Sequence, residues 1–136
     1  MMLVYREIIP GRDEFFELFS TTGWNDEEYH LSPDQLYQAI KRSWYMVCAY
    51  EDKSLIGFGR VISDGVLHAL IVDMIVHPDH QGKGVGRALL EKLIQQCQAH
   101  GINDIQLFCA TGKSGFYQKS GFVTRPTEAP GMQYKP

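Results

Sequence analysis

The sequence predicts a three-layer α/β domain, with helices on both faces of a central mixed, mostly antiparallel sheet, and three observations carry this. Residues 45–50 and 55–62 are apolar strand segments joined by the charged turn Glu51-Asp52-Lys53, short enough for an antiparallel hairpin. Residues 69–76 form an apolar run broken only by Asp73, the pattern of a strand covered on both faces. A glycine loop, a helix and a further strand at 104–109 follow, which makes a right-handed crossover between parallel strands.

Each element has its own local signal. Residues 3–8 read as the first strand, closed by the Pro10-Gly11 turn, and Phe15, Phe16 and Phe19 then give one apolar side of a helix. Residues 21–31 are irregular. Ser32 is placed as the N-cap of a second helix, with Pro33 in its first position and Gln35 completing a capping box, so that Leu36 and Ile40 face inward. In the helix after the glycine loop, Val85, Leu89, Leu90, Leu93, Ile94 and Cys97 keep the helical period, and His100-Gly101 ends it. A short helix at 114–120 and two closing strands, near 122–124 and 132–134, complete the expected sheet.

With 136 residues, no internal repeat and no linker, one domain spanning 1–136 is expected. A net charge of -3 leaves no basic excess for polymeric nucleic acid or an anionic membrane. No apolar run is long enough to span a bilayer. The first residues lack the order of a signal peptide, and Cys48, Cys97 and Cys109, odd in number and widely spaced, read as buried reduced thiols. The expectation is a cytoplasmic protein, monomer or homodimer. His77 and His80 invite a metal reading, but no further ligand set is recognisable, and no metal is expected.

Gln81-Gly82-Lys83-Gly84-Val85-Gly86-Arg87 is the most informative segment. Glycines lie where a buried strand has ended and a helix begins, so a ligand can approach the backbone beside free helical N–H groups and the positive end of the helix dipole. Such a loop suits a diphosphate, and Lys83 and Arg87 add positive charge. The dinucleotide fingerprint fails in both registers, because its last glycine falls on Arg87 or Leu89. Gly112-Lys113-Ser114 is not a P-loop, because the required upstream glycine is Leu107. The plainer alternative is a tight turn into a helix.

Gln81-x-x-Gly84-x-Gly86 resembles the acyl-CoA loop of the GNAT superfamily of N-acyltransferases. Val76-x-Pro78 before the loop, the strand at 105–108 and Phe116-Tyr117-Gln118-Lys119-Ser120-Gly121-Phe122 lie in that family's order and spacing, so the resemblance covers almost the whole chain. Asp73-Met74-Ile75-Val76, Leu107-Phe108 and Pro130-Gly131-Met132 look most like the branch of plant-type serotonin (arylalkylamine) acetyltransferases and related lysine acetyltransferases. The resemblance implies acetyl-CoA as co-substrate. Backbone amides of Met74, Ile75 and Val76 would bond the pantetheine arm and thioester carbonyl, and Gln81, Gly82, Lys83, Gly84, Val85, Gly86 and Arg87 would form the loop that holds the diphosphate. Tyr117 would lie near the CoA sulfur. Many members carry Asn seven residues before this tyrosine, and Ala110 stands there instead.

The implied chemistry assigns roles. A lysine-like amine of pKa about 10.4 is almost wholly protonated at pH 7, so a proton must leave before attack on the thioester. Asp73, a carboxylate on an apolar strand, is the candidate that accepts it or orients the ammonium, and pairing with Arg60 is the structural alternative. Strand N–H groups can stabilise the developing oxyanion, and Tyr117 can protonate the leaving thiolate; its alternative role is packing under the sheet. Trp24 and Tyr29, in the irregular stretch, are candidates for an aromatic wall against the acceptor, while Trp44 is read as core. Asp26, Glu27 and Glu28 either attract a cation or form a solvated face. The expected acceptor is a small primary amine; a protein lysine or N-terminus, or a non-catalytic acyl-CoA sensor, are the alternatives.

Overall fold

The computed structural model describes residues 2–136. Five strands form one sheet in chain order: β1 (Leu3–Arg6), β2 (Tyr45–Glu51), β3 (Ser54–Ser63), β4 (His68–Val76) and β5 (Asp104–Leu107). The first three pairings are antiparallel and β4–β5 is parallel, as the hairpin and crossover signals predict. The β2–β3 turn is Asp52-Lys53, with Asp52 in the left-handed region at φ 55°.

Strand alternation divides the core into two layers. Val47 and Ala49 of β2 face α3 (Val85–Ala99), whose Val85, Leu89, Leu90, Leu93 and Cys97 are buried against them. Met46 and Cys48 face the opposite layer, built from α1 (Arg12–Ser20) and α2 (Pro33–Lys41), where Phe15 meets Phe58 edge-on with ring centroids 4.8 Å apart. The Ser32 and Gln35 capping box forms as expected. β3 approaches α3 closely because Gly57 and Gly59 present no side chains. A Cβ on Gly57 would stand 3.0 Å from Leu89 and 3.1 Å from Val85, and one on Gly59 would stand 2.7 Å from the Met74 sulfur.

Several expectations are corrected. The closing strands at 122–124 and 132–134 do not form: residues 122–136 hold no regular structure and expose Val123, Met132 and Tyr134. A short strand is stable only when paired, and Pro126, Pro130 and Pro136 remove backbone donors from this segment. β1 stops at Arg6, leaving Ile8 and Ile9 half-exposed, and β5 stops at Leu107. Cys109, beyond that end, is exposed, whereas Cys48 and Cys97 are buried. The irregular stretch contains a π-helical turn, Asn25–Tyr29. α4 (Ser114–Gln118) is shorter than expected.

Candidate active site

The site begins with a flaw in β4. Arg60 stands opposite Val72 and Phe58 opposite Ile75, so Asp73 and Met74 together face the single residue Gly59: a β-bulge. Asp73 takes φ 55°, which Asp tolerates better than most residues. The bulge inverts the side-chain pattern, so that Ala69 and Ile71 belong to the α3 layer while Ile75 belongs to the α1–α2 layer. Asp73 thereby turns to Arg60, whose Nε donates to Oδ2 at 2.7 Å with both side chains largely shielded. The structural alternative for this carboxylate is therefore the contact present.

The second half of β4 is open along one edge. Pairing with β5 ends at Ile71–Leu107, although β4 continues to Val76. His77 N–H donates to the Ile56 carbonyl at 2.8 Å, and alternation points the Ile75 peptide group to β3 as well. Met74 and Val76 then turn theirs to the side that β5 has left. Of the three amides expected to meet the donor, geometry leaves these two available; Ile75 serves the sheet and the core.

The glycine loop leads from this open edge into α3. Gln81 Nε2 donates to the Val76 carbonyl at 3.0 Å, tying the loop to the strand end. Gly82 and Gly84 take φ 78° and 85°, and a Cβ on either would meet nothing within 4 Å, so the cradle is open at both. Ala88 N–H is the first to bond back, to the Gly84 carbonyl at 3.1 Å, which leaves the N–H groups of Val85, Gly86 and Arg87 for a ligand. Lys83 is exposed beside them, and Arg87 lies along the helix on Glu91 at 3.1 Å. These residues fit a diphosphate: oriented donors, an accessible backbone and mobile positive charge.

The loop's far wall is α4. Gly86 lets both Phe116 and Val76 approach the start of α3, each within 3.4 Å of where its Cβ would be. Tyr117, next along, packs edge-on against Phe116 and Phe122. Burial, and then the charge of neighbouring Cys109, raise its pKa above the ordinary phenol value. An open cleft of about 350 Å³ runs between β5 and residues 121–125, lined by Leu107, Cys109, Tyr117, Phe122 and Arg125 among others. It reaches neither the glycine loop nor Met74, and α4 borders it through Ser114, Tyr117 and Gln118.

On the opposite layer, Trp24 packs edge-on against Phe19 at 5.7 Å and is half-buried, while Tyr29 lies 6.4 Å from the same ring and is 53% exposed. The pKa of Tyr29 is raised by burial and then by the charges of Glu28 and Asp73; Phe19 is the ring that Trp24 and Tyr29 share. Trp44 meets His100 edge-on and packs, partly buried, against the α3-side core. His80 bonds Glu51 at 2.7 Å and His77 Nδ1 accepts from the Asp79 N–H, so both imidazoles are occupied in fastening the loop.

One contributor has no sequence signal that marks it. Asn25 is buried, and its side chain bonds the carbonyl and N–H of Leu31 at 2.9 and 2.7 Å, closing the loop that presents Tyr29. Arg60, expected only as the structural partner of Asp73, is that partner.

A sheet that parts beside a helix N-terminus and a glycine loop defines a class, and comparison with known proteins gives its name. The chain matches the acetyltransferase (GNAT) family over residues 11–122, and it belongs to that family. It is 42% identical over 84 residues to an uncharacterised N-acetyltransferase of Gracilaria tenuistipitata, covering 62% of this chain and 46% of that protein. It is 35% identical over 79 residues to the chloroplastic serotonin N-acetyltransferase 2 of Oryza sativa, covering 58% of this chain and 40% of that one. The chain thus spans less than half the length of these relatives. In fold it is similar to a probable acetyltransferase from Staphylococcus aureus, with a TM-score of 0.83, 23% identity and coverage of 99% and 100% of the two chains. It is also similar to the PaiA N-acetyltransferase of Thermoplasma acidophilum solved with coenzyme A, with a TM-score of 0.77, 22% identity and 93% of each chain covered.

Proposed function

We propose that this domain transfers an acetyl group from acetyl-CoA to a small primary amine of the arylalkylamine type by direct attack of nitrogen on the thioester. The observation that carries this is the open edge of Met74 and Val76 leading straight into the unpaired N–H groups of α3. One surface then holds a diphosphate at one end and a thioester carbonyl at the other. Acetyl-CoA supplies the activated acyl group.

Gly82, Gly84, Val85, Gly86 and Arg87 would bind the diphosphate, with Lys83 adding charge. The Met74 and Val76 N–H groups stabilise the charge that develops on the carbonyl oxygen, in a geometry fixed beforehand by the sheet. Tyr117, protonated throughout the neutral range, donates to the departing thiolate. Asp73 has one oxygen engaged by Arg60, and the acceptor nitrogen loses its proton to solvent at the open mouth. Tyr29, backed by Phe19 and Trp24, gives an exposed aromatic surface for the acceptor. The relative named for serotonin supports an aromatic amine.

Thiol release tests the reading, with acetyl-CoA and a panel of tryptamine, serotonin, phenethylamine, an aliphatic diamine and a lysine peptide. Saturable release with the aromatic amines is expected. Turnover of the peptide alone would shift the acceptor to protein. In the same assay Gly84→Glu should abolish CoA binding by calorimetry, because it sets a carboxylate on a left-handed backbone beside the phosphates. Unchanged affinity in that variant would remove the loop from its role.

A further inference from the structure

We infer that Arg60 is a positioning residue of the acyl-transfer site: by clamping Asp73 at the β4 bulge it fixes the direction of the Met74 and Val76 peptide groups. The inference rests on the reading of those groups as the thioester's partners, and it gives both charged residues one conformational task.

Asp73 occupies a left-handed conformation that costs an L residue even where Asp tolerates it better than most, and a contact that holds its side chain favours that conformation. Arg60 is placed to make that contact. It is only 13% exposed, it bonds the Asp73 carboxylate through Nε, and its Nη1 reaches the Ala39 carbonyl at 3.3 Å and the Ser43 hydroxyl at 3.4 Å. The guanidinium therefore spans from the bulge to the C-terminal end of α2, and its planar fork can engage both sides at once. α2 is continuous through Ser32 with the loop that Asn25 closes and that presents Tyr29. One side chain thus ties the donor strand to the acceptor layer.

The bulge directs the strand. Without it, residues 69, 71, 73 and 75 would share a face, and the peptide groups beyond Ile71 would be turned about. A bulge free to relax would let Met74 and Val76 sample other directions. An oxyanion partner misplaced by about 1 Å can lose on the order of 10²-fold in rate. Loss of the clamp should therefore appear in the chemical step, while the diphosphate end, fastened by Gln81 and the Glu51–His80 contact, stays in place.

The test uses Arg60→Met alone and combined with Asp73→Gly, since glycine adopts the left-handed region unaided. Arg60→Met is expected to lower kcat by roughly tenfold or more, while the Kd for 3′-phospho-ADP, a probe that reaches only the loop, changes less than about threefold. Arg60→Met/Asp73→Gly should recover kcat to within roughly threefold of the parent. A merely structural Arg60 would lower Tm and leave kcat alone. A chemically active Asp73 carboxylate would make the double variant slower than the single one, and either result overturns the inference. Amide hydrogen exchange reads the clamp without turnover: the Ile75 amide should exchange at least about tenfold faster in Arg60→Met and slow again in the double variant. Equal Ile75 exchange in the parent and Arg60→Met would sink the clamp even if acetyl transfer stands; normal clamp behaviour in a protein that acetylates no amine would instead sink the proposed function.

Discussion

Burial, and then the electrostatic influence of Cys109, raise the pKa of Tyr117, and both push in the direction an acid catalyst needs. A general acid works below its pKa and fails above it, so the raised value moves the alkaline loss of rate above pH ~10. The acceptor amine acts in the opposite sense, since its reactive free base grows about tenfold per pH unit below its own pKa, about 10.4 for a lysine-like amine. The ratio kcat/KM should therefore climb through pH 7–9 without a carboxylate-like inflection. Tyr117→Phe should cut kcat by roughly 10²-fold, abolish the alkaline fall, and leave CoA affinity unchanged by calorimetry. A parental rate in that variant would return Tyr117 to its packing role. The family resemblance singles out this tyrosine; what surrounds its ring comes from Phe116 and Phe122, which pack edge-on against it.

At the level of elements, the position of the α3 N-terminus depends on β3. Val85 and Leu89 lie over Gly57 so closely that an added methyl would press on their side chains, which must give by a few tenths of an ångström. Gly57→Ala should cost about 1–3 kcal/mol, measured by denaturant unfolding, and weaken acetyl-CoA binding by displacing the loop end of α3. Undiminished affinity would show that the helix start is anchored elsewhere. The strand, loop and helix of this unit are all legible in the sequence, because apolar period and glycine placement are local properties. The β4 bulge is not. A run of apolar residues buried on both faces gives no alternation to break, so Asp73 shows there only as an anomaly.

Across the whole molecule, the thiols report on the fold. Cys48 is pushed up to about 12 by burial and then by Glu14, and Cys97 is buried against the sheet and also raised, whereas Cys109 stands exposed at the mouth of the cleft. A maleimide should label one thiol per native chain and three after unfolding, with mass spectrometry placing the native label on Cys109. Rapid native labelling of Cys97 would contradict the packing of α3. The sequence reads Cys109 as buried because Phe108 and Ala110 flank it, but a flanking residue reports burial only while a strand continues, and β5 has already ended.

The sequence by itself determines the fold class, the crossover and the glycine loop that opens α3, since each rests on residues close in the chain. The tertiary structure decides how the ends of the sheet behave. It parts β4 from β5 after Ile71, turns Met74 and Val76 outward, leaves residues 122–136 unpaired, and gives Asp73 to Arg60. These outcomes depend on which groups meet across the sheet. Arg60 and Asp73 are separated by a strand, a turn and a bulge, and their contact exists only once all three have formed.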